Sequence, residues 1–312
     1  MIAFGPVPSR RLGRSVGVNN IPPKICTYSC AYCQIGRRGR MQIQREAFYE
    51  PEQILADVRE KVQAAEDAAE PIDYLAFVPD GEPTLDANIG REIELLRQIG
   101  LPIAVISNAS LLWRGDVRRE LSGADWVSVK VDAGREKTWR HIDHPHRELQ
   151  YPVLLEGLHQ FAAEYSGRLV TETMLAAGIN DSPEDARQVT EILAGLSPAT
   201  AYLSIPTRPP ADGRVHAPDA AVINAYYQIV SARIPHVEYL TGYEGNAFAA
   251  RRRGGGSAEH HGGASDEAGC GSGAAGEMRR RMGPGGGSPP RGQTHAERVR
   301  GESVLSQGPL GV

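Results

Sequence analysis

Hydrophobic and polar positions follow a repeating pattern from about residue 51 to residue 240. Apolar runs such as residues 74–78 are continuous, which is typical of parallel strands that are buried on both faces. Between these runs, apolar side chains recur at helical spacing, as at Ile54, Leu55, Val58 and Val62. Further strands are predicted at 103–106, 126–131, 169–174, 201–205 and 237–240, with helices between them.

Strands that alternate with helices indicate the α/β class, in which parallel strands are joined by right-handed crossovers. Residues 15–18 form a predicted strand ahead of about six β/α units, which are too few for a closed eight-unit barrel. In such folds the chemistry lies where the carboxyl ends of the strands meet their loops. We therefore expect functional polar residues at the strand ends.

The residues most suggestive of chemistry are three cysteines, Cys26, Cys30 and Cys33, in C-x3-C-x2-C spacing. A short loop with this spacing can place three thiolates around one face of an iron–sulfur cluster, which commonly has four cysteine ligands. The remaining cysteine, Cys270, is distant in the sequence, so three ligands would leave one iron open. A structural zinc site is the alternative, although it usually needs four ligands at paired spacings.

Polar residues follow two of the predicted strands. Gly81 and Glu82 come after the strand at 74–78, where a glycine permits close approach of the backbone to a ligand and a carboxylate can hold a cation. An ordinary polar turn is the alternative at this position. Asn108 follows the strand at 103–106, where it either hydrogen-bonds a ligand or caps the next turn.

Lys130 lies among valines in the strand at 126–131. If the valines face the helices, strand alternation turns Ser128, Lys130 and Asp132 towards the interior of the fold. A lysine in an apolar strand is rarely buried without a partner. We expect its partner to be either a carboxylate of a ligand or a nearby acid, Asp132 or Glu172.

The composition changes sharply near residue 250. Residues 251–312 hold 17 of the 35 glycines and no aromatic residue, with nine arginines against six acids. Such a segment buries too little apolar surface to offset the entropy cost of ordering. We therefore predict a folded domain at 1–248 and a disordered Gly/Arg-rich tail at 249–312. The tail is a weak RNA-binding arm, a functionless extension or the product of a frameshift.

The formal net charge of −4 gives no polybasic signature of nucleic-acid or membrane binding. No apolar run is long enough to cross a bilayer, and the first residues lack a signal-peptide pattern. The few cysteines suit a reducing compartment. We expect a cytoplasmic protein without a membrane partner.

The cysteine loop, followed by strand–helix units, resembles the radical S-adenosylmethionine (radical SAM) superfamily. The Asp-Gly-Glu-Pro segment at 80–83 is similar to the Gly-Gly-Glu-Pro segment of these proteins, with Asp80 in the place of the first glycine. The resemblance implies a partial (β/α)6 barrel with a [4Fe-4S] cluster bound by Cys26, Cys30 and Cys33. It also implies that SAM binds the open iron and is cleaved reductively to a 5′-deoxyadenosyl radical, which abstracts hydrogen.

The same resemblance implies contacts to SAM and a partner protein. The implied contacts are Tyr32 for the adenine, and Gly81 and Glu82 for the ammonium group. Asn108 is expected at the carboxylate or ribose, and Lys130 at the carboxylate or the substrate. The resemblance does not identify the residues that act on the substrate. Since the sequence shows no flavin domain or second cysteine set, an external one-electron donor such as flavodoxin or ferredoxin is implied.

Within the superfamily, the chain resembles the wyosine-synthase-like group, which is related to the tRNA imidazoguanosine synthetases. Wyosine synthases condense a tRNA guanine with pyruvate and carry extra cysteines, which this chain lacks. The resemblance implies modification of tRNA, and a small molecule is the other expected substrate. A non-catalytic or truncated iron–sulfur protein is the alternative to an enzyme. The resemblance covers roughly residues 1–248 and rests on the segments at 4–13, 26–34, 77–85, 204–210 and 242–248.

Overall fold

The computed structural model describes residues 2–36 and 39–240. The predicted tail and the predicted domain boundary at residue 248 lie outside the described residues. The strands are β1 (Ala3–Ser9), β2 (Gly13–Val18), β3 (Ile25–Cys26), β4 (Arg40–Met41), β5 (Tyr74–Phe77), β6 (Ile103–Ser107), β7 (Trp126–Lys130), β8 (Arg168–Met174), β9 (Thr200–Ser204) and β10 (Val237–Leu240). The helices are α1 (Pro51–Asp67), α2 (Ile89–Leu96), α3 (Gly115–Leu121), α4 (Glu136–Ile142), α5 (Tyr151–Glu164), α6 (Pro183–Leu196) and α7 (Ala220–Ser231).

Eight of these strands form one sheet, in the order β1-β2-β5-β6-β7-β8-β9-β10. Strands β1 and β2 are antiparallel, and the other neighbouring pairs of this sheet are parallel. Strands β3 and β4 form a separate parallel pair beside the cysteine loop. The α/β class with parallel strands, predicted from the sequence, is confirmed.

Side chains alternate between the two faces of the sheet. On β7, Val127 is fully buried in the large core that contains the helices, whereas Trp126 packs with Tyr202 in a smaller cluster. Ser128 and Lys130 share the face of Trp126, because side chains two positions apart in a strand point the same way. Lys130 lines a cavity on this face, so its predicted inward direction is confirmed.

The N-terminal strand β1 was not predicted, because Gly5, Pro6 and Pro8 indicated turns. It is an edge strand that pairs only with β2 among the strands of the sheet. Proline is tolerated at an edge because its missing backbone N–H need not pair with a neighbour. No helix among the described residues is long and apolar enough to span a membrane.

Candidate functional site

A cavity of about 420 Å³ opens at the carboxyl ends of the strands in the large sheet. The cysteine loop, the loop after β5 and the ends of β6 to β9 contribute to its wall. The cavity is lined by every candidate site residue from the sequence: Cys26, Cys30, Cys33, Tyr32, Gly81, Glu82, Asn108 and Lys130. The fold therefore brings together residues that are far apart in the chain.

The cysteine loop is held from behind by the segment 142–146. Backbone hydrogen bonds join Ser29 N to Asp143 O (3.2 Å), Ala31 N to Ile142 O (2.8 Å) and His146 N to Thr27 O (2.9 Å). This segment belongs to a histidine-rich run at 140–146, which contains His141, His144 and His146. These three histidines do not line the cavity. The segment supports the cysteine loop through its backbone hydrogen bonds.

Two of the cysteine sulfurs have polar neighbours in the described structure. Cys26 Sγ accepts hydrogen bonds from Asn108 Nδ2 (3.6 Å) and from the backbone N–H of Tyr28 (3.5 Å). Cys30 Sγ lies 3.6 Å from Asp143 Oδ1. All three cysteines are free thiols with partial exposure. Burial, followed by the charge of Glu82, raises the pKa of Cys26 to about 12, so the protein alone does not stabilise this thiolate.

Glu82 links the loop after β5 to the end of β6. Its Oε1 accepts from Thr84 Oγ1 (2.6 Å) and Ser107 Oγ (2.7 Å), while its Oε2 accepts from Asn108 N (2.7 Å). Burial raises the pKa of Glu82, although these hydrogen bonds oppose the increase. A carboxylate oxygen can accept more than one hydrogen bond, so Oε2 retains capacity for a ligand.

Gly81 lies where the loop after β5 meets the cysteine loop. A Cβ at this position would lie 2.1 Å from the carbonyl oxygen of Ile25, which immediately precedes Cys26. The next residue, Glu82, donates its backbone N–H to the same carbonyl at 3.1 Å. Only glycine permits this close approach of the two loops.

The inner part of the cavity contains an ionic network centred on Glu172. Lys130 Nζ lies 3.3 Å from Glu172 Oε1 and 3.8 Å from Asp132 Oδ2. Arg11 Nη1 lies 2.5 Å from Glu172 Oε2. The Tyr32 hydroxyl donates to Asp132, and Lys130 Nζ lies 4.8 Å from the centre of the Tyr32 ring. Lys130 therefore pairs with the nearby acids Asp132 and Glu172, which were one of the two kinds of partner expected for it. It also lines the cavity.

Residues 20–189, more than half of the chain, match the family described as the Radical SAM superfamily. The chain belongs to the radical SAM superfamily. The resemblance inferred from the cysteine loop is thus confirmed.

This radical SAM protein is similar in sequence to two relatives and in fold to two solved structures. A UPF0026 protein of Methanocaldococcus jannaschii is 45% identical over 249 residues, which cover 79% of this chain and 77% of that protein. A probable dual-specificity RNA methyltransferase of Koribacter versatilis is 24% identical over 166 residues, which cover 52% of this chain and 47% of that protein. The family and these similarities indicate an enzyme with RNA-modifying relatives.

The two solved structures share its fold. A radical SAM methyltransferase from Sphaerobacter thermophilus has a TM-score of 0.56 and 21% identity, with 72% of this chain and 66% of that chain covered. TYW1 with a lysine-pyruvate adduct bound has a TM-score of 0.54 and 18% identity, with 70% of this chain and 74% of that chain covered. The partial-barrel fold implied by the sequence is confirmed.

The donor set of this radical SAM protein suits a cluster better than a single metal ion. Three thiols line one cavity, and cysteine thiolates are the usual ligands of iron–sulfur clusters. Within residues 2–36 and 39–240, no three His, Cys, Asp or Glu side chains are grouped so that they could hold one metal ion. Ligands of a multi-iron cluster bind different irons and so stand farther apart than ligands of one ion. The cysteine loop therefore fits the group that the family implies.

Two groups beside this site were not predicted as site residues from the sequence. Asp143 lies 3.6 Å from Cys30 Sγ and 3.3 Å from the Tyr32 hydroxyl, although it is 113 positions from Cys30 in the sequence. The sequence feature that could have indicated Asp143 is its position between the histidines of the run at 140–146. Ser204 donates to Glu172 Oε1 at 3.0 Å, and its position at the end of a predicted strand was the signal that could have found it.

Proposed function

We propose that this protein binds a [4Fe-4S] cluster through Cys26, Cys30 and Cys33 and uses it to cleave SAM reductively for hydrogen abstraction in RNA modification. The observation that supports the proposal most directly is the shared cavity, in which the three thiols face the polar residues at the strand ends. The cluster would supply one electron, which breaks the bond between the sulfur and C5′ of SAM to give methionine and a 5′-deoxyadenosyl radical. The protein orients these groups and limits side reactions.

The residues around the cysteines have chemistry that suits SAM. Glu82 and the backbone at Gly81 would receive its ammonium group, because a carboxylate and carbonyl oxygens accept from an ammonium. Lys130 carries the charge that a carboxylate requires. Burial lowers its pKa, but the nearby acidic groups, Asp132 and Glu172 foremost, together raise the pKa above its usual value, so Lys130 stays protonated. Tyr32 offers a ring face for the adenine. Asn108 lies between the cysteine loop and the end of β6, within reach of the same ligand.

An RNA substrate is supported by the relatives and by the charge of the cavity wall. The similarity to an RNA methyltransferase covers only about half of each protein, so it suggests the substrate class without fixing it. Arg10, Lys24 and Arg208 also line the cavity, and cations near an opening attract phosphate groups. A tRNA is the first substrate to test, and a small molecule is the alternative. Reduced flavodoxin or ferredoxin would supply the electron.

The proposal is tested by reconstituting the cluster without oxygen, reducing it with dithionite in the presence of SAM and measuring 5′-deoxyadenosine. We expect product from the wild type and none from Cys30→Ala, which lacks one proposed ligand. Arg187→Ala on α6 is the control, since Arg187 is exposed and does not line the cavity. Arg187→Ala should therefore cleave SAM like the wild type.

The outcomes separate the alternatives. A cluster without 5′-deoxyadenosine would identify a non-catalytic iron–sulfur protein. Absence of any cluster in the wild type would overturn the proposal. For the substrate, binding of tRNA that weakens steeply as salt increases would support a nucleic acid, because the contacts to phosphates release counterions. If tRNA does not bind even at low salt, a small-molecule substrate is favoured.

A further inference from the structure

The carboxamide of Asn108 has one defined orientation. Its Oδ1 accepts a hydrogen bond from the backbone N–H of Ser110 at 3.0 Å. Because a backbone N–H can only donate, the oxygen of the carboxamide must face Ser110. Its nitrogen therefore faces the cysteine loop, where it donates to Thr27 Oγ1 at 2.8 Å and to Cys26 Sγ at 3.6 Å.

This arrangement makes Cys26 different from Cys30. Cys26 Sγ accepts from two N–H groups, those of the Asn108 side chain and the Tyr28 backbone. Cys30 Sγ instead lies beside the carboxyl group of Asp143. A carboxyl group lies near each sulfur, Glu82 near Cys26 and Asp143 near Cys30, so the two sulfurs differ mainly in their N–H donors. The side chain responsible for part of this difference is Asn108.

An N–H donor withdraws electron density from a thiolate and so stabilises the more negative, reduced form of a cluster. Hydrogen bonds to the sulfurs are among the factors that set the reduction potential of iron–sulfur clusters. We propose that Asn108 is a positioning residue that raises the reduction potential of the cluster through its hydrogen bond to Cys26. This inference rests on the cluster proposed above and assigns to Asn108 a role that acts through Cys26.

The test compares three variants that alter neighbouring hydrogen bonds. Asn108→Ala removes the donor to Cys26. Asn108→Asp keeps the size of the side chain and an oxygen for the Ser110 N–H, but it replaces the donor with a charged acceptor. Ser110→Ala is the matched control, because it removes a 2.7 Å hydrogen bond to Thr27 Oγ1 from the same part of the loop and leaves the contact to the sulfur.

The measurement is the midpoint potential of the reconstituted cluster, followed by electron paramagnetic resonance during a redox titration without SAM. We expect a more negative potential in Asn108→Ala, a still more negative one in Asn108→Asp and no shift in Ser110→Ala. Equal potentials in the wild type and Asn108→Ala would overturn the inference. An equal shift in Ser110→Ala would also overturn it, because loosening of the loop would then be the cause.

The same samples separate this inference from the proposed function. A wild type that forms a cluster and cleaves SAM, with potentials unchanged by the two Asn108 variants, would leave the proposed function standing and refute the role of Asn108. A wild type that binds no cluster would refute both. Iron content is measured for each variant, so that every potential refers to a protein with the same loading.

Discussion

Lys130 and Glu172 lie directly opposite each other on the neighbouring parallel strands β7 and β8, and the Lys130 ammonium is 3.3 Å from the Glu172 carboxylate. Their side chains are 19% and 11% exposed, so water screens this ion pair weakly. Burial alone would raise the pKa of Glu172, yet Lys130 and Arg11 lower it to about 2. The pair therefore contributes to folding as well as to the charge of the cavity.

We expect Lys130→Met and Glu172→Gln each to lower the free energy of unfolding, with a coupling energy of about 1–3 kcal/mol between them. Each single change leaves a buried charge with fewer partners, whereas the double variant removes both charges of the pair. Urea denaturation of the four proteins at pH 7 measures the coupling. Additive effects of the two substitutions would show that the ion pair contributes no energy of its own.

The protonation of Glu92 should make the folded protein less stable as the pH rises. This α2 residue is fully buried, and burial, with the nearby charge of Asp86, raises its pKa from 4.5 to about 9. The folded protein therefore keeps a proton that the unfolded chain releases. The resulting stability is fully present below about pH 4.5 and is lost as the pH rises towards about 9.

Glu92→Gln removes this titration and keeps a hydrogen-bond donor towards Asp86. We expect the variant to gain about 1 kcal/mol or more relative to the wild type between pH 5 and pH 9, since one pKa unit corresponds to about that energy. Glu94→Gln on the same helix is the control, because Glu94 is 70% exposed. Parallel stability curves for the wild type and Glu92→Gln would refute the assignment of the proton to Glu92.

Features that depend on local pattern were predictable from the sequence, and features that depend on tertiary contact were not. The run at 74–78 identified a buried parallel strand because both of its faces are covered, and β5 occupies residues Tyr74–Phe77. The edge strand β1 was missed because Pro6 and Pro8 conflict with a central strand but not with an edge.

The same distinction applies to the site. The cysteine spacing and the strand-end position of Lys130 indicated a shared site, and both line the same cavity. Strand alternation alone did not decide on which face of β8 the Glu172 side chain lies, because that face depends on the register between β7 and β8. Asp143 could not be placed beside Cys30 because their contact joins two loops that the sequence pattern does not relate.

Arg45 supports the loop that carries Glu82. Its side chain is 7% exposed, and it donates to Thr84 O (2.9 Å), Asp86 O (2.7 Å) and Asp116 Oδ2 (3.1 Å). We expect Arg45→Met to lower the free energy of unfolding by roughly 3 kcal/mol, because it removes the donor to the carbonyl oxygens of Thr84 and Asp86 and the ion pair of Glu120.

The matched control for that variant is Arg40→Met. Arg40 lies 2.7 Å from Glu46 but is 61% exposed, so its loss should cost less than about 1 kcal/mol. Chemical denaturation of both variants gives the comparison. Similar losses in the two proteins would contradict the role of Arg45 as a buried support for the loop.

Gly81→Ala tests whether contact between the loop after β5 and the cysteine loop shapes the site. The added Cβ would lie 2.1 Å from Ile25 O and 2.8 Å from Ile21 Cδ1, so the backbone before Cys26 must shift. We expect a loss of about 1–3 kcal/mol in stability and less iron bound per chain after reconstitution. Gly213→Ala is the control, because no heavy atom beyond its two neighbours in the chain lies within 4 Å of its added Cβ. If Gly81→Ala binds as much iron as Gly213→Ala, the close approach of the two loops is not required for the cluster.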